Sequence, residues 1–137
     1  MRRLSMRVST EIDRKKQRLL IKFEGRVAYA DIEGMINDSA KEGILHYQLL
    51  VDARKVTFNL FPTDISRFAD LVQSMAAQSP LGPTAVLVSD AVANGIIHLL
   101  SLVASGMCKV KGFRERASAE RWLGWESEEA AWVKVET

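Results

Sequence analysis

Residues 49–51 read Leu-Leu-Val, three apolar side chains in succession within the segment Tyr47 to Ala53. A strand with one wet face alternates apolar and polar residues, whereas an unbroken apolar run suits a strand covered on both faces, as in the middle of a parallel sheet. Ala85 to Val88 repeats the pattern. Two such runs, separated by a stretch with helical periodicity, predict an α/β domain with helices layered on a mostly parallel sheet.

The rest of the chain agrees with that architecture. Met6, Val8 and Ile12 alternate with polar neighbours, as do Leu19, Ile21 and Phe23, and the charged stretch Asp13 to Lys16 lies between them. This predicts an opening β-hairpin. Gly25 is expected to end the second strand. Ile32, Met35, Ile36 and Ala40 share one helical face, with Gly43 as the stop. Pro62 and Thr63 open a second helix, Thr63 as N-cap, with Ile65, Phe68, Leu71, Val72 and Met75 forming its apolar stripe. Ser89 or Asp90 caps a third helix running to about Gly106. Lys109 to Phe113 predicts a short edge strand, and Ala119, Trp122 and Leu123 a last helix closed by Gly124. The order is ββαβαβα followed by βα, giving about five strands and four helices.

With 137 residues the chain is one domain, long enough to stabilise itself by core burial. Its single cysteine, Cys108, excludes an internal disulfide and a paired-cysteine zinc site, and suits a reducing compartment, the cytoplasm. Net charge is only +2, but residues 1–26 hold nine Lys or Arg against three Asp or Glu. Arg2, Arg3 and Arg7 lie near the terminus, and Arg14, Lys15, Lys16 and Arg18 crowd a turn, with no aromatic residues interleaved for base stacking. No nucleic-acid partner is expected. The most apolar segment, Ile96 to Met107, is broken by His98 and is too short to span a bilayer.

The order and spacing of these elements resemble the STAS, or SpoIIAA-like, fold of anti-sigma-factor antagonists, and more closely a group of small bacterial SpoIIAA-like proteins. Gly25, Leu49 to Arg54, Ala85 to Val88, and Phe113-Arg114 with Ala119, Trp122 and Leu123 carry the likeness. It implies a SpoIIAA-like domain over residues 1–124. The acidic tail at 125–137 is expected to dock on the domain or on a neighbour, because two exposed indoles, Trp125 and Trp132, would be costly in a free tail. In the antagonists, a serine phosphorylated by a partner kinase follows the central strand, preceded by a carboxylate. Asp52 and Val56-Thr57-Phe58 match the stretch before them, but the serine falls at Phe61 and the carboxylate at Leu60. A phenyl ring accepts no phosphoryl group, so the family switch does not transfer to this position; Thr57 and Thr63 are the nearest hydroxyls.

No nucleotide-binding glycine motif, phosphate loop or nucleophile elbow occurs. His46 and His98 lack second ligands at helical spacing, so neither a metal nor a cofactor is expected. Asp52 and Arg54, at i and i+2 near the carboxyl end of the central strand, can point together to where open α/β sheets bind ligands, with Asp90 and Asn94 joining them from the next strand end. Alternatively, Asp52 accepts backbone N–H groups, Arg54 pairs with a carboxylate, and Asp90 caps the third helix. Phe58, Leu60 and Phe61, in an expected loop from Arg54 to Phe61, are anchors for a partner or plugs for the core.

The third helix is apolar over too wide an arc for one buried side. Its Ile97 and Leu100 are candidates for an interface, covered by a second copy, by the tail, or by an apolar ligand. These features favour a non-enzymatic regulatory module that binds an unidentified protein partner, as a homodimer. The alternative is a binder of a small apolar or acyl ligand, in the manner of the CRAL-TRIO-type lipid-binding domains, which the SpoIIAA-like fold resembles in outline.

Overall fold

A computed structural model describes residues 6–125 and 132–135. Its elements are β1 (Met6–Asp13), β2 (Arg18–Ala28), α1 (Tyr29–Lys41), β3 (Gln48–Asn59), α2 (Pro62–Ala76), β4 (Thr84–Leu87), α3 (Ala91–Val103), β5 (Val110–Phe113), α4 (Arg116–Leu123) and β6 (Val133–Val135). They form a six-stranded sheet in the order β5-β4-β3-β2-β1-β6. The four strands β2 to β5 are parallel, β1 is antiparallel to β2, and β6 is antiparallel to β1.

The Leu-Leu-Val run works as its pattern requires. Leu50 faces one layer with Ala85, Leu87, Ala119, Leu123 and Trp125. Val51 and Ala53 face the other, with Phe68 and Val72 of α2 and Ile97 and Leu100 of α3. Because β2, β3, β4 and β5 lie side by side in chain order, every crossover moves the same way, and right-handed connections put α1, α2 and α3 on one face. The chain after β5 supplies α4 to the opposite face.

Several boundaries differ from those expected. Gly25 does not end β2; it sits inside the strand at φ 101°, a conformation open to glycine at little cost. The central strand continues to Asn59, absorbing most of the expected loop. Its length is accommodated by a bulge: Lys22 pairs with Asp52 and Glu24 with Lys55, so three steps on β3 oppose two on β2. The extra residue keeps Val56 and Phe58 on the inner face after Val51 and Ala53. Thr63 is not the cap of α2. Phe61 is, and the Asp64 carboxylate accepts the Phe61 N–H at 2.8 Å.

The sixth strand was not expected, since three residues carry too little periodicity to be seen. It joins the end of the chain to the sheet through Thr10, Glu11 and Ile12. Trp125 is buried: its Nε1–H donates to Gln48 Oε1 at 2.8 Å, and the Arg18 guanidinium lies over its ring at 5.2 Å. Trp132 packs beside it, ring centroids 5.5 Å apart. Both indoles belong to the α4 side of the sheet, so the described part of the tail does not cover α3. Residues 126–131 of that tail, and Arg2 and Arg3 of the basic start, lie outside the described residues.

Candidate functional site

Of the four residues expected to gather at a polar rim, Asp52 and Arg54 engage each other, and Asp90 and Asn94 make contacts of their own. Asp52 and Arg54 hold each other: Arg54 Nε donates to Oδ1 at 3.0 Å, Nη2 to Oδ2 at 2.8 Å, and the Arg54 backbone N–H to Oδ1 at 3.2 Å. Residues i and i+2 of a strand project to the same face, which lets this bidentate pair form locally. The hydrogen bonds from Arg54 keep the Asp52 carboxyl below its usual range, against the opposing effect of its burial. Asp90 accepts the Ala93 N–H at 2.8 Å and caps α3. Asn94 reaches across to β5, where its Oδ1 occupies the space a Cβ at Gly112 would need. Open α/β sheets bind ligands most often where strand order reverses, and β2 to β5 contain no reversal.

The expected interface also separates. Phe58 and Leu60 are half-buried and pack against the core, so the structure uses them as plugs. Phe61 alone of the three is exposed, at 61%. Ile97 and Leu100 are core residues facing the sheet and cannot form an exposed surface without unfolding α3. The apolar residues that α3 shows to solvent are instead Val92, Leu99 and Leu102. The choice was invisible without a phase for the helix, because apolar residues occur all around it.

At the junction of α1 and α2, the Arg67 guanidinium lies over the Tyr29 ring at 4.4 Å and reaches Asp64 Oδ1 at 3.4 Å. Burial, with the Glu33 carboxylate beside it, pushes the Tyr29 hydroxyl above its usual range. Tyr29 is the one buried residue of α1. The remaining inward side chains of that helix, Ile32, Met35 and Ile36, are only half-buried. Thus α1 is fastened at its first turn and lies loosely over the sheet beyond it.

Beneath it is a cavity of about 150 Å³ between the sheet and the layer of α1, α2 and α3. It extends from Leu49, Thr84 and Cys108 at the start of the parallel strands to Val56 and Phe58 near the end of β3. Its walls contain no carboxylate, amine, guanidinium or imidazole. The inward positions 51, 72 and 86 are valines and 53 is alanine, short side chains where longer ones would close the void. That choice was the available sequence signal, and it becomes readable only once these positions are known to face one another. Cys108 is a wall residue: its thiol points to Gly82 O at 3.4 Å, and burial pushes its pKa up, away from reactive thiolate. On the other side of α1, a depression of about 490 Å³ separates the helix from Val8, Ile12 and Ile21.

Among the described residues, no three His, Cys, Asp or Glu side chains gather as metal ligands. Among the same described residues, no helix is long and apolar enough to cross a membrane.

No family model matches the chain, and no curated protein matches its sequence. Its architecture is similar to that of an uncharacterised protein of the DUF3478 family from Shewanella loihica, described as having a SpoIIAA-like fold. The TM-score is 0.60 at 14% identity, over 90% of this chain and 98% of the other. That likeness, together with four parallel strands, an opening hairpin and three helices on one face, shows that the chain has a SpoIIAA-like fold.

Proposed function

We propose that this protein is a non-enzymatic cytoplasmic binding module whose ligand is a small uncharged apolar molecule, or the acyl part of a larger one, held between the sheet and α1. The observation that carries this reading is the uncharged cavity of about 150 Å³ inside a domain whose central strand is otherwise covered on both sides. An apolar space of about this volume has room for a molecule as large as benzene. A carboxylate or phosphate would find no cation among the wall side chains, only the Ser39, Tyr47 and Thr84 hydroxyls and the Cys108 thiol, so a charged end is better left outside. The half-buried helix α1 is the movable wall through which a ligand enters, since it has the fewest buried contacts to break.

The test is native mass spectrometry of protein purified from its own cells, with organic extraction of the same sample. A co-purifying apolar compound supports the reading. A clean chain whose melting temperature is also unmoved by saturating benzene refutes it.

A second reading, docking of a regulatory protein partner, is favoured by the exposed ring of Phe61 at the cap of α2. Phe61→Ala should leave stability within about 0.5 kcal/mol, as for a surface residue. A loss of several kcal/mol would place the ring in the core and remove that reading.

A further inference from the structure

We propose that α3 is the self-association surface of this protein, pairing antiparallel with the α3 of a second copy. The exposed positions Val92, Leu99 and Leu102 are 77%, 46% and 57% accessible. With Gly95 they follow the spacing 3, 4, 3 of a helix–helix seam. At Gly95 an added Cβ would meet nothing within 4 Å, so the middle of the stripe is an open hollow.

An antiparallel two-fold centred between Gly95 and Leu99 sets Leu99 of each copy into the hollow at the other's residue 95, and Val92 against Leu102. Large thus meets small in the middle, and apolar meets apolar at both ends. Such self-complementarity is what an isologous interface requires.

Charge decides among the possible occupants. Ala91–Val103 contains no Asp, Glu, Lys or Arg. Across this two-fold the stripe meets only itself, so like charges on it would be brought close together, and it carries none. A charged partner would find no counter-charge on it. An interfacial membrane helix carries Lys and Arg beside its apolar face, and α3 carries none. Of the described tail residues, Trp125 and Trp132 pack on the opposite face of the sheet, and Val133–Val135 pair with β1, at the other edge of the sheet from β5. A helix of 13 residues is about 20 Å long, a short seam that suits a micromolar dimer rather than a permanent one.

Sedimentation velocity of the full chain between 5 and 200 µM (roughly the range a short seam needs) tests the proposal. Wild type should pass from monomer to a species of twice 15.3 kDa. Gly95→Leu has room in the monomer and fills the hollow, so it should weaken the dimer at least 100-fold without lowering the melting temperature. Val92→Lys and Leu102→Glu should each do the same, and the double variant, which sets opposite charges across the antiparallel pair, should restore association. A wild type monomeric at 200 µM overturns the proposal. So does a dimer indifferent to Gly95→Leu and Val92→Lys, both at exposed positions where folding is not at risk, or one that the double variant fails to restore.

Discussion

Replacing Val51 and Val86 together by isoleucine adds one methylene at each of two inward positions that border the cavity. Both sites are strand interiors, where isoleucine keeps the β-branched shape that valine already has. The space of about 150 Å³ is large enough to take both added methylenes. Each methylene moved into it gains about 0.8 kcal/mol, or about 1.6 kcal/mol for the pair if neither forces a strained rotamer. In a domain of this size that is a rise in melting temperature of about 5 °C. Urea unfolding of the ligand-free protein reads the change as a higher midpoint at unchanged slope. The same double variant should bind benzene more weakly than wild type, because the space is taken. If the space beneath α1 is filled in solution, the added groups overpack it and the variant loses about 1–3 kcal/mol. The sign of the change therefore decides, and a loss would refute the cavity as the basis of function.

Three further outcomes follow from the geometry. Asp52→Asn should cost about 1 kcal/mol at neutral pH, at the low end for a charged hydrogen-bonded pair because Arg54 is partly exposed. The folded Asp52 carboxyl titrates below its unfolded value of about 3.9, so this contribution is present above pH 4 and fades as pH falls through the folded value. Urea curves at pH 7 and pH 3 should show the gap between wild type and variant closing in acid. Gly112→Ala should destabilise by about 1 kcal/mol while Asn94 is present and be neutral or stabilising with Asn94→Ala, a coupling that a double-mutant cycle measures. Hydrogen exchange should show α1 beyond its first turn opening at lower free energy than β3; equal protection of the two would remove α1 as the entry wall.

The layered architecture was legible because single residues each stated one local fact that the fold then used. The run Leu49 to Val51 stated burial on two faces, Asp90 stated a helix start, and Gly124 a helix stop. What was not legible depends on relations between elements. The bulge at Ala53 and Arg54 arises because β3 must keep Phe58 inward alongside Val27 of β2, and nothing in either segment alone announces it. The outward phase of α3 rests on which of many apolar residues meet the sheet. Side-chain pattern placed Asp52 and Arg54 near one another, but not the strand order, which runs from β2 to β5 without a reversal beside them. The cavity is a deficit of volume shared by β3, β4 and α2, and no single position records it.

Xenon titration followed through the methyl resonances of the ligand-free protein addresses the central claim most directly. Xenon enters dry apolar voids and has little affinity for polar surface. The account predicts saturable shifts at Val51, Val72 and Val86, smaller shifts at the outward methyls of Leu99 and Leu102, and loss of the inner response in the Val51→Ile, Val86→Ile double variant. Uniform, unsaturable shifts over the whole surface, with none stronger at the inner valines, would contradict it.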